Sequence, residues 1–158
     1  MKPRIRKLNI ETDKESLEQY SEKTVFAKII LDELQTSNDE GVIYEAYGVF
    51  TAYNTLIGFC SVSNYLEYDA FEYFDENSKG ISEMYIEDYS DEYYSNKLEL
   101  CCDLLSYVLN DESNKDSNIF FDNNININDT MAEQLGFITL DEGVLVRLSD
   151  KYKTENNL

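Results

Sequence analysis

The chain's 158 residues include no histidine, so the commonest general base and metal ligand are missing, and with them any His-dependent triad or zincin motif. What remains for chemistry is carboxylate, thiol and phenol: 32 Asp and Glu, three cysteines and 13 tyrosines. No spacing of these residues suggests a metal site. The thiols are Cys60, Cys101 and Cys102, an odd number, and the start MKPRIRKLNIE has no apolar segment behind its basic residues. This reads as free thiols in a reducing cytoplasm, with no signal peptide. Cys101 and Cys102 fall on the apolar face of an expected helix with Leu98, Leu105 and Val108. That makes both of them buried core residues rather than nucleophiles, and neighbouring helical positions do not meet the geometry of an ordinary disulfide.

The carboxylates are unevenly spread. Residues 29–114 set only Lys79 and Lys97 against nineteen acidic side chains, a net of −17 out of −19 for the whole chain, whereas residues 1–28 carry +2. Such a field opposes direct nucleic-acid binding, which depends on Lys and Arg displacing phosphate counterions. It attracts cations: a small cationic amine, a basic peptide, or the basic groove of a nucleic-acid-binding protein. The plainer source of much of this charge is a lineage with acidic, Asn- and Tyr-rich composition. No apolar run approaches the roughly 20 residues of a membrane span, so no membrane partner is expected.

The elements that must position these groups form one domain. With 42% apolar residues, one Pro and six Gly, the chain is neither disordered nor fibrous. Residues 3–10 alternate as a strand, with Ile5, Leu8 and Ile10 inward. Thr12 and Glu15 have capping-box spacing, which opens a helix near Asp13; apolar residues from Leu17 to Leu34 then recur at helical period. TSNDEG (36–41) reads as a loop. Val42–Tyr53 and Leu56–Tyr65 read as a hairpin with Asn54-Thr55 at its tip, followed by an acidic–aromatic loop through Asp75. A strand over Gly80–Glu87, a helix over Asn96–Leu109 and a strand over Asn118–Phe121 come next. A short helix from Asp129 stops at Gly136, and two strands joined at Asp141-Glu142-Gly143 close the domain. Residues 1–150 make a single domain of class α/β, and 151–158 are a polar, frayed tail.

This order resembles that of the GNAT acetyltransferase superfamily over nearly the whole chain. The end is the most specific part: the strand IFF (119–121), a short helix, EQLGF (133–137) and two closing strands are similar to the superfamily's C-terminal signature, which ends in K-L-G-F. The strand ISEMYIE before an apolar helix resembles its central strand and coenzyme turn. The resemblance implies a mixed, mostly antiparallel central sheet flanked by helices, and acetyl-CoA as co-substrate. It implies coenzyme contacts from the backbone of Met84 and Ile86 and from the turn Tyr93, Tyr94, Ser95, Asn96 and Lys97. It also implies transfer to a cationic amine, with Glu83 as general base and Tyr89 or Tyr85 as replacement acid or pocket lining. Glu83 serves equally as an ordinary solvent-facing residue of a strand end.

The departures are as specific as the match. The family turn carries Arg or Gln and small residues at its glycine positions, and its amides hold the coenzyme's pyrophosphate at a helix N-terminus. Here the turn EDYSDEYYSNK (87–97) has neither Gly nor Arg. It places Asp88, Asp91 and Glu92 where a polyanion docks, with Lys97 the compensating cation. The family's acid Tyr falls on Ala132 and its Asn on Ile125, between Asn124 and Asn126. The alternative function is therefore a non-catalytic acidic module of the same fold, a mimic of nucleic acid among its forms.

Overall fold

Asn9 turns the chain out of its first strand, and its side-chain oxygen accepts the amides of Glu11 and Thr12 at 2.8 and 3.3 Å. Helix α1 (Ile10–Tyr20) therefore starts ahead of the Thr12–Glu15 pair. Asp13 is taken by other contacts: its buried carboxylate accepts the Asn9 amide at 2.7 Å and both Arg6 Nη groups at 2.8 Å. Those bonds tie α1 to strand β1 (Arg4–Lys7) and, with the guanidinium contact dominant, hold the Asp13 carboxyl below its ordinary range.

The computed structural model describes residues 2–40, 44–64, 68–89, 91–122 and 127–158. After α1 come α2 (Val25–Glu40), β2 (Tyr44–Phe50), β3 (Leu56–Ser63), β4 (Lys79–Ile86), α3 (Lys97–Asn110), β5 (Ile119–Asp122), α4 (Asp129–Gln134), β6 (Phe137–Thr139), β7 (Val144–Arg147) and α5 (Asp150–Glu155). The seven strands form one sheet in the order β1-β2-β3-β4-β5-β7-β6. Every neighbouring pair is antiparallel except β4–β5, whose parallel pairing needs the α3 crossover between them. One face packs the apolar side of α3 and Ala132 of α4 onto Tyr47, Val49, Met84, Ile86 and Phe121. On the other face Leu17, Tyr20 and Ile30 of α1 and α2 cover Phe50 and Phe59, and Tyr68, Phe71 and Phe74 of the β3–β4 loop cover Phe120 and Val146. Among the described residues no helix is long and apolar enough to cross a membrane.

Three expectations are corrected. The segment TSNDE continues α2 to Glu40; its polar residues are weak helix formers, but none is Gly or Pro, and Gly41 lies outside the described residues. The tail expected to fray carries α5, capped by Ser149 Oγ on the Tyr152 amide at 3.0 Å, with the Tyr152 ring edge-on to Tyr73. Cys101 is buried and its thiol is pushed up to about 11, chiefly by desolvation, but Cys102 lies one residue round the helix and is partly exposed. The end of α4 matches its expectation, with Gly136 at φ 86°.

Candidate active site

The β4–β5 ladder spans only Lys79–Ile81 against Ile119–Phe121, while β4 runs on to Ile86 against β3. Among the described residues no β4–β5 pairing extends beyond Ile81 and Phe121, which leaves a gap in the ladder. A bulge decides which groups face the gap: Ser61 is opposite Glu83 and Val62 opposite Ile81, which leaves Ser82 as the extra residue. Beyond it, the Glu83 amide donates to Ser61 Oγ and the Glu87 amide to the Ile57 carbonyl, both at 3.0 Å on the β3 side. Backbone groups alternate along a strand, so the N–H and C=O of Met84 and Ile86 point the other way, towards β5.

The bulge also sorts the side chains. Ile81, Met84 and Ile86 pack on the α3 face, and Tyr85 on the face of α1 and α2. Tyr85 stacks on Phe59 at 6.0 Å and lies edge-on to Tyr20 at 6.0 Å. Glu83, two residues before Tyr85, shares its face and is half-buried. On that face it lies between the aromatic cluster under α1 and α2 and the loop after β3. The loop is pinned by Tyr68 stacked on Phe120 at 5.3 Å and by Asn118 Nδ2 donating to the Tyr73 carbonyl at 2.9 Å. Tyr65 of that loop, and Asn124, Ile125 and Asn126, lie outside the described residues. Ala132 is a core residue on α4.

The turn between β4 and α3 is closed by its own side chains. Asp91 Oδ1 accepts the amides of Tyr93 and Tyr94 at 2.7 and 2.9 Å, and Asp91 Oδ2 accepts the Tyr89 hydroxyl at 2.7 Å. Glu99 accepts the Ser95 amide at 3.0 Å and the Ser95 hydroxyl at 2.6 Å. Asn96, the N-cap of α3, accepts the amides of Leu98 and Glu99 at 2.9 and 3.3 Å. Partial desolvation raises the Asp91 carboxyl, but the Tyr89 hydroxyl and the two amides outweigh it, so Asp91 stays below its ordinary value. The contacts from Ser95 lower Glu99 likewise. Tyr89, donating to Asp91, holds its proton more tightly than a free phenol.

The other expected turn residues divide. Tyr94 points inward and donates to Asp103 Oδ2 at 2.7 Å, with Lys2 over its ring, whereas Tyr93 is exposed. Lys97 stands 3.7 Å from Asp88. Sequence reasoning placed the obstructing charge on Asp88, Asp91 and Glu92; among the described residues only Asp91 of these accepts the turn's amides, and its companion is Glu99. The signal for Glu99 was present, because Asn96-x-x-Glu99 has capping-box spacing. Among the described residues no cluster of three or more His, Cys, Asp or Glu could hold a metal ion.

No family model matches the chain, and no curated protein does. Solved structures do. A protein from Exiguobacterium sp. 255-15 that carries an acetyltransferase assignment aligns over 100% of both chains, with TM-score 0.58 and 12% identity. The fold is GNAT-like. A GNAT-family acetyltransferase from Staphylococcus aureus Mu50 aligns over 92% of this chain and 98% of its own, with TM-score 0.47 and 15% identity. A variant of the toxin AtaT, bound to the C-terminus of the antitoxin AtaR and to acetyl-CoA, aligns over 100% of both chains, with TM-score 0.48 and 13% identity. At these identities the likeness is one of architecture.

Proposed function

We propose that this chain is an acetyl-CoA-dependent N-acetyltransferase with a cationic amine as acceptor and a weak hold on its coenzyme. The observation that supports the reading is that, among the described residues, β4–β5 pairing ends at Ile81 and Phe121 while the Met84 and Ile86 backbone turns towards the β5 side, where its donors and acceptors would meet the amide-bearing arm of acetyl-CoA. Acetyl-CoA supplies a thioester carbonyl. Glu83, on the face where the acceptor would lie, takes the proton as the amine nitrogen forms its bond to that carbonyl and the C–S bond breaks. Tyr89, on the turn after β4, would protonate the leaving thiolate once released from Asp91. The −17 segment draws a cationic acceptor and disfavours a polyanionic one.

The closed turn fits the coenzyme's pyrophosphate poorly, and this one feature favours a second reading: a non-catalytic module of the same fold that binds a basic partner. Calorimetry with acetyl-CoA, and transfer assays with spermidine and a lysine peptide, separate the two. The enzyme reading expects binding, turnover that Glu83→Gln lowers at least tenfold, and unchanged binding in that variant. Absence of acetyl-CoA binding at about millimolar ligand, in the wild type and in a variant whose turn has been opened, sinks it.

A further inference from the structure

We infer that Asp91 and Glu99 act as a built-in anion that latches the coenzyme's phosphate seat shut. The inference rests on the acetyl-CoA reading for the identity of the seat, and on the hydrogen bonds of this chain for its state. Five amide N–H groups around the start of α3, those of Tyr93, Tyr94, Ser95, Leu98 and Glu99, already have side-chain acceptors. An Asp91 oxygen receiving two successive amides is the contact that a phosphate oxygen makes in a backbone nest. Glu99 repeats it with the amide and hydroxyl of Ser95. A pyrophosphate must therefore displace two ionised carboxylates from their donors, as well as approach against their charge.

The two effects can be told apart, because the turn also carries acidic residues that, among the described residues, accept no amide of the turn. Asp88 contacts Lys97, and Glu92 is exposed. Removing Asp88 and Glu92 deletes the same charge as removing Asp91 and Glu99 but leaves the latch in place. In closed form the seat excludes coenzyme; with both carboxylates gone, the amides of Tyr93, Tyr94 and Ser95 are released towards it.

The test is calorimetric titration with CoA, acetyl-CoA and inorganic pyrophosphate. The wild type is compared with Asp91→Ala/Glu99→Ala, with Asp88→Ala/Glu92→Ala, and with the uncharged isosteres Asp91→Asn/Glu99→Gln. The latch expects CoA to bind at least tenfold tighter to the first variant than to the wild type. It expects less than threefold tightening in the second, and no more than that in the third, where amide oxygens still accept the backbone donors. Equal tightening in all three variants, which is a pure charge effect, overturns the latch. So does wild-type affinity equal to that of Asp91→Ala/Glu99→Ala. If that variant does not fold, judged by circular dichroism, Asp91→Ala alone replaces it with the same tenfold expectation. The transfer reading fails separately: a variant that binds CoA tightly yet acetylates no amine leaves the latch standing, whereas a wild type that binds acetyl-CoA tightly and turns over removes the latch and keeps the transfer.

Discussion

The two ends of α3 are closed by opposite chemistry, and their difference separates structure from function in this molecule. At the N-terminal end, acceptors do so: Asn96 caps the helix, and Asp91 and Glu99 take the amides of the turn leading into it. At the C-terminal end, donors do so: Asn114 Nδ2 reaches the Val108 carbonyl at 2.9 Å and Arg147 Nη1 the Leu109 carbonyl at 3.1 Å. Both choices follow the helix dipole. The C-terminal clamp, however, is built into the core. Arg147 Nη2 also serves the carbonyls of Asn114 and Ser117 at 3.0 and 3.1 Å, and Lys79 Nζ bonds the Ser113 carbonyl and Asn114 Oδ1. Desolvation lowers the pKa of both cations, opposed at Lys79 by the charges of Glu45 and Asp111 and at Arg147 by that of Asp150. The N-terminal acceptors lie in an exposed turn, where water or another anion can replace them. The same capping physics gives a clamp built into the core at one end and exposed acceptors at the other, where the proposed function would seat a phosphate.

The largest effect should come from breaking the buried end. Arg147→Met strands three carbonyls and is expected to cost about 3 kcal/mol in urea unfolding. A loss below about 1 kcal/mol would mean that water serves those carbonyls and that the two ends are alike. Asp13→Asn, at the partly buried Arg6–Asp13 ion pair, should cost about 2 kcal/mol at neutral pH. Because the native Asp13 carboxyl is held below its ordinary 3.8, its contribution is present above that value and is lost as the pH falls through the lower native one. The difference between wild type and Asp13→Asn should therefore vanish in acid, and a difference that persists there assigns the effect to packing.

The exposed end is sharpened by pH rather than by stability. Asp91 and Glu99 are both held below their ordinary values, so they remain ionised well below neutrality. Wild-type CoA affinity should then change less than threefold between about pH 8 and about pH 5. Marked tightening at the lower pH would show that the carboxylates titrate there and that the latch is looser than its hydrogen bonds indicate. The smallest effect is a count of reactive thiols in the native state. Cys102, partly exposed on α3, should label slowly, while Cys60 and Cys101, both raised by burial, should label only on unfolding. Rapid labelling of Cys101 would show that α3 is not clamped at its ends.

Much of the architecture was legible residue by residue. The strand ISEMYIE, the apolar face of α3 and the Asn54 tip of the first hairpin all appear where period and turn chemistry placed them, because each depends on neighbours in sequence. The site was less legible. Met84 and Ile86 face the β5 side because Ser82 is bulged out, and a bulge is a property of the pairing with β3 that no period-two reading of β4 contains. Glu99 was passed over because its partner, the Ser95 amide, matters only once the turn has folded back on the helix.

By itself the sequence determined the absence of histidine chemistry, the −17 middle segment, the order of strands and helices, and a turn after β4 without glycine. These follow from composition and local spacing. Only the tertiary structure decided which carboxylates take the turn's amides, that Arg147 reaches across from β7 to close α3, and that Cys101 is buried while its neighbour is not. Each of those depends on the angle at which one element meets another, and that angle is set by packing across the sheet.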